Sequence, residues 1–182
     1  MNESATHSMH FFNFSLTYRY IMIPKLSLCD GCQQDIPLIV ATVVSKVDHF
    51  VSRQPIREGW ASAQESLSIK THRVVVYFIL SKPDSVDELS MLLQEQQQHN
   101  DLIMTDLTES YENLVYKVYA SLMFHQRYCP QALFLMKVDD DVCIDIDRIL
   151  IVWNIEKNSS ISSIYCHKAY EGPAMRDPKH KL

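Results

Sequence analysis

The sequence predicts an α/β fold built on a mostly parallel sheet. Three observations carry that expectation. Apolar, β-branched runs recur without polar alternation, the composition of strands buried on both faces. Segments with helix-start chemistry or 3.6-residue apolar spacing stand between them. Strand and helix alternating in this way cover both faces of one sheet with helices. The 182 residues, 47% of them hydrophobic, suffice for one domain with a sizeable core.

Residues 1–36 read as an irregular N-terminal tail and 37–182 as the domain. "PLIVATVVS" (Pro37 to Ser45) is the first buried strand. Pro55 suits the first turn of a helix running through Trp60 toward Glu65, with Trp60 in the core. "RVVVYFILS" (Arg73 to Ser81) is the second strand. Ser85 with Glu88 three residues on forms a capping box, opening a helix to about His99. "DLIM" (Asp101 to Met104) is a short third strand. Tyr111, Leu114, Val115, Val118, Leu122 and Met123 then mark one face of a helix, and Asn113 either stabilises its start or contacts a ligand. "ALFLMKV" (Ala132 to Val138) is the fourth strand, and Asp145 caps a helix carrying Ile146, Ile149, Leu150 and Trp153. A last short strand is expected around "ISSIYCH" (Ile161 to His167).

Composition excludes several functions. A net charge of −5 argues against a nucleic-acid partner, whose phosphates demand a basic face. Three glycines leave no glycine-rich phosphate loop. The longest strongly apolar stretch, Ile36 to Val44, has nine residues and includes Pro37, whereas a membrane span needs roughly 20. Asn2, Asn13 and Asn158 head glycosylation acceptor tripeptides. Cys29 and Cys32 form the single CxxC of the five cysteines. With Cys129, Cys143 and Cys166 scattered singly, it reads as a two-thiol turn rather than a zinc site.

The fourth strand ends in Asp139, Asp140 and Asp141. Adjacent carboxylates repel, so solvent, a cation or a donor network must screen them. A solvated turn is the plain reading of such a triplet. This one, however, follows a buried strand at its carboxyl end, where open α/β sheets bind ligands. Hard divalent cations favour such oxygen donors. An EF-hand starting at Asp139 fails, because Ile144 and Leu150 stand where glycine and glutamate are required. A DxDxT phosphotransferase is a poor match, because Cys143 stands where threonine is needed. Asp-x-Asp holding a metal on the diphosphate of a sugar nucleotide needs nothing the local sequence lacks.

Four ordered blocks then carry a family resemblance spanning roughly Leu38 to Lys181. They are "RQPIREGW" (Arg53 to Trp60), "HNDLIMTDLTESYENLVYK" (His99 to Lys117), "LMKVDDDVCIDIDRIL" (Leu135 to Leu150) and "GPAMRDPKHKL" (Gly172 to Leu182). They resemble the β-1,3-hexosyltransferases of glycosyltransferase family 31, the galactosyl- and N-acetylglucosaminyltransferases related to Fringe. Gly59, Leu107, Glu109 and Val115 depart from the family pattern.

The resemblance implies a GT-A fold, a Rossmann-like donor-binding half preceding an acceptor-binding half. It implies transfer of galactose or N-acetylglucosamine from a UDP-sugar to a glycan on protein or lipid, in β-1,3 linkage. By the same resemblance Asp141 is the ligand of a divalent metal, usually Mn²⁺, and Asp140 contacts the donor sugar or ribose. Asp139 supports the motif, and Arg53 reaches the donor nucleotide. Arg57, one helical turn from Arg53, either faces the same ligand or forms a salt bridge. Lys117 and Tyr111 read as packing residues, the lysine snorkelling.

A Golgi membrane location on the lumenal side also follows from the resemblance, through an anchor expected outside these residues. The acceptor loops, the general base and a metal-binding histidine are expected beyond Leu182. The expectation is therefore a partial or shortened glycosyltransferase, or a non-catalytic remnant that binds a nucleoside diphosphate or a protein partner.

Overall fold

The computed structural model describes residues 6–11, 14–26, 36–152 and 164. Its centre is a six-stranded sheet in the order β1-β2-β5-β4-β3-β6. The strands are β1 Thr6–Phe11, β2 Phe14–Met22, β3 Ile39–Val44, β4 Val74–Leu80, β5 Leu102–Thr105 and β6 Phe134–Asp139. Strands β5, β4, β3 and β6 are parallel. The hairpin β1–β2 adds antiparallel strands beside β5. The helices are α1 Phe50–Glu58, α2 Leu67–Lys70, α3 Val86–His99, α4 Leu114–Tyr128 and α5 Ile146–Val152. This is the Rossmann-like half of a GT-A fold, as expected.

Every residue of β3 is buried, which explains its unbroken apolar and β-branched composition. One core gathers Ile56 and Trp60, Phe78, Leu92, Ile146 and Leu150 on one side of the sheet. The other gathers Tyr18, Tyr20, Tyr77, Ile103, Ala120 and Phe124. Helix α3 begins with the expected capping box, in which the Glu88 backbone N–H donates to Ser85 Oγ and the Ser85 N–H donates back to Glu88. Asp145 caps α5 by accepting from the Arg148 N–H at 3.0 Å.

Five expectations are corrected. The irregular tail of 1–36 contains the β1–β2 hairpin. Along β2, Tyr18 and Tyr20 are buried while Thr17, Arg19 and Ile21 are exposed, a period-two pattern that packs one face on the core. Tyr20 Oη donates to the Ala120 carbonyl at 2.6 Å, which satisfies the buried phenol.

Pro55 does not open its helix, because α1 starts at Phe50 and holds Pro55 inside. The carbonyl that Pro55 leaves unpaired belongs to the exposed Val51, where water can satisfy it. Gly59 stands at the C-cap of α1, where its N–H donates to the Pro55 carbonyl and a Cβ would lie 2.8 Å from that oxygen.

The buried face of α4 is Lys117, Ala120, Ser121 and Phe124, whereas Val115 and Leu122 are exposed. The apolar stripe misplaced that face because a lysine and a serine occupy it. Lys117 is 1% exposed and does not snorkel.

Asn113 precedes α4 but gives no side-chain cap; its amide donates instead to the Thr108 carbonyl. The CxxC, the three acceptor asparagines, Trp153, "GPAMRDPKHKL" and all of "ISSIYCH" except Ile164 lie outside the described residues.

Phe124, fully buried against Tyr20, Tyr77 and Tyr128, ties α4 to the sheet. Phe124→Ala should lower unfolding stability by about 3–5 kcal/mol. A urea melt followed by far-UV circular dichroism would show this as a drop in midpoint at unchanged slope.

Candidate functional site

The parallel strands run in the order β5-β4-β3-β6, so the chain steps outward from β3 in one direction and returns on its other side as β6. Ligands of open α/β sheets bind at the carboxyl ends of the strands flanking such a reversal. The β3–β6 register places Asp139 beside Val44, which brings Ser45 and Asp140 together just beyond the strand ends. A cavity of about 400 Å³ opens there. Its wall includes Ser45, His49, Glu109, Tyr111, Lys117 and the aspartates 139 to 141.

The three aspartates have different surroundings. Asp139 takes both oxygens to Lys137 Nζ at 2.6 Å and remains half exposed. Asp140 accepts through Oδ2 alone, from Ser45 Oγ at 2.7 Å and His49 Nδ1 at 2.8 Å. A carboxylate only accepts, so the imidazole proton in that bond sits on Nδ1. Asp140 Oδ1 accepts no hydrogen bond among the described residues. Asp141 is exposed at the cavity, with no side-chain partner among the described residues.

Arg53 does not line the cavity. It is fully buried, and its guanidinium donates to Glu95 through Nε and Nη2 at 2.7 Å each. It also donates to the Lys46 carbonyl at 2.5 Å, the Val47 carbonyl at 3.3 Å and Ser45 Oγ at 3.2 Å. The Ser45 hydroxyl thus accepts from Arg53 and donates to Asp140, connecting helix α1 to the aspartates. Arg57 lies farther along the same network, paired with Asp101 at 2.7 Å and Glu95 at 2.6 Å, with its guanidinium over the Phe78 ring. Of the two readings open for Arg57, the structure places it in an ion pair, largely buried rather than superficial.

Residues that the sequence reading passed over complete the wall. Ser45, Lys46 and His49 follow β3 directly, and their signal was position at a strand's carboxyl end. Lys117 donates to Glu109 at 2.7 Å and to the Ser45 carbonyl at 2.9 Å, which holds the loop from the opposite side. Beyond the aspartates, Asp147 accepts from the Ser66 hydroxyl, the Ser68 hydroxyl and the backbone N–H groups of Leu67 and Ser68. Slight burial works against its ionised form, but these donors outweigh it and hold the carboxyl below its usual range. They also fix α5, and hence the far end of the aspartate loop, against α2.

Among the described residues no three His, Cys, Asp or Glu side chains converge as a ready-made metal cage. Mn²⁺ is therefore not shown by the geometry. A hard cation held by one or two carboxylates and completed by phosphate oxygens needs no such cage, and the unengaged carboxylate of Asp141 fits that donor chemistry.

The family model described as Galactosyltransferase matches residues 51–182. The chain is 33% identical over 118 residues to human "Beta-1,3-galactosyltransferase 5", covering 65% of this chain and 37% of that protein. It is 26% identical over 165 residues to mouse "Beta-1,3-galactosyltransferase 4", covering 85% and 43%. Mouse "Beta-1,3-galactosyltransferase 1" is 29% identical over 119 residues, covering 65% and 36%. The chain thus spans about two-fifths of the length of the curated relatives it matches.

Burial alone would raise the pKa of Glu95, but Arg53 and Arg57 outweigh it and hold the carboxyl below its usual range. A carboxyl depressed in the folded state adds stability that is present above its unfolded pKa, about 4.3, and lost as pH falls through the folded value. Glu95→Gln, which removes the carboxylate charge that pairs the fully buried Arg53, should therefore cost about 3–5 kcal/mol at pH 7. It should also flatten the loss of stability below about pH 4.3 that is expected of the parent chain. Urea unfolding of both chains at several pH values measures the two effects.

Proposed function

The chain belongs to the galactosyltransferase family, and from that premise we propose that it supplies the UDP-sugar-binding half of a β-1,3-hexosyltransferase. Galactose is the favoured sugar, after the names of its relatives, with N-acetylglucosamine the alternative. The acceptor in this reading is a glycan on protein or lipid. The observation that carries the proposal is the division of labour among the aspartates at the β3–β6 reversal.

Asp140, anchored through one oxygen, turns its other oxygen to a donor hydroxyl. Asp141, unengaged, holds a divalent cation, Mn²⁺ in this reading. Asp139 stands beside it, partly neutralised by Lys137. When bound, the cation stabilises negative charge on the departing nucleoside diphosphate. Arg53 serves the donor indirectly, by holding Ser45 and the backbone carbonyls of Lys46 and Val47. Arg57 supports it through Glu95.

We place the protein on the lumenal side of the Golgi membrane. Cys129 is disulfide-bonded, and disulfides persist in the oxidising secretory compartments. No helix among the described residues is long and apolar enough to cross a membrane.

The test is a thermal-shift titration with UDP, with and without Mn²⁺. A ligand of the native state raises the melting temperature by linkage, by about 2.7 kcal/mol of stability at 100 times its Kd. The transition should rise only when both are present, and Asp141→Ala should abolish the rise without lowering the unliganded transition. A transition indifferent to UDP and Mn²⁺ would defeat the proposal and leave a non-catalytic partner-binding role.

A further inference from the structure

We propose that His49 is a positioning residue of the donor site, holding the Asp140 carboxylate in the orientation that leaves Oδ1 toward the ligand. This rests on the reading of Asp140 as the donor-contacting aspartate.

His49 sits at the N-cap position of α1, where a side chain would ordinarily accept from the helix's first N–H groups. It makes no such cap; the Ser52 and Arg53 N–H groups go to its backbone carbonyl instead. The imidazole is left to turn across the cavity wall, with Nδ1 at 2.8 Å from Asp140 Oδ2 and Nε2 at 3.9 Å from Asp48. Its side chain is about a third exposed, on the wall of the cavity.

Asp140 therefore receives two donors from different sources. Ser45 Oγ is itself oriented by the buried Arg53, and His49 reaches the same oxygen from the start of the helix that carries Arg53. One donor alone would leave the carboxylate free to rotate about it. Two donors converging on Oδ2 define the plane of the group and direct Oδ1 to one position. A preoriented acceptor binds a ligand hydroxyl without the ordering cost that a mobile carboxylate incurs.

Calorimetric titration of the full chain with UDP in the presence of Mn²⁺ tests this, using the parent, His49→Ala and His49→Asn. The alanine variant should bind about tenfold more weakly, the loss expected for one hydrogen bond to a charged group. Asparagine keeps an N–H donor near the position of Nδ1 and should recover affinity to within about threefold of the parent. Both variants should melt within about 2 °C of the parent without ligand, as partly exposed sites do.

Parent-like affinity in His49→Ala overturns the inference while leaving the donor-site reading intact. Equal weakening in both variants, or a melting temperature that falls in step with affinity, assigns His49 to structure alone and also overturns it. No binding by the parent chain defeats the donor-site reading and the inference with it.

Discussion

The site depends on one constraint, the complete burial of the Arg53 guanidinium. A buried cation without partners would cost several kcal/mol, so each of its donors must find an acceptor. Arg53 finds them on Glu95 of α3, on the Lys46 and Val47 carbonyls and on the Ser45 hydroxyl. Those groups lie on a helix and on the loop that leaves β3, so satisfying one side chain clamps that loop to the body of the fold. The planar fork of arginine does this in several directions at once, which the single ammonium of lysine does not.

The loop held in this way forms one wall of the cavity, and the ends of β3 and β6 bring the other wall to it. Ser45 and Asp140 stand 95 residues apart in the chain and meet because their strands are neighbours in register. Lys117 closes the arrangement from α4, buried on Glu109 and the Ser45 carbonyl. The β3 loop is thus held by buried cations on both sides, and the aspartates face a wall with little freedom to move. Such preorganisation suits a site that must recognise a flexible, highly charged ligand.

Much of the fold was legible from local pattern. The buried strands β3, β4, β5 and β6 announced themselves by apolar, β-branched runs, and α3 by the Ser85–Glu88 capping box. The β1–β2 hairpin was missed, although Leu16, Tyr18, Tyr20 and Met22 alternate with exposed residues as an antiparallel strand should. The α4 face was misread because its centre is Lys117, whose burial has no apolar signature. At the site, the aspartates were visible as a charge cluster at a strand end. Ser45 and His49 were not, because a serine and a histidine become site residues only through the carboxylate that they meet.

By itself the sequence determined the alternation of elements, the sheet's parallel core, the family to which the chain belongs and the position of the acidic cluster. These follow from periodicity, capping chemistry and ordered motifs, all of which act between residues close in the chain. Only the tertiary structure decided that Arg53 and Arg57 lie in a buried ion-pair network instead of the cavity wall, and that the three aspartates are inequivalent. Those outcomes depend on which distant groups share a buried volume. Desolvation then forces each charge to its nearest partner, a choice that no local pattern records.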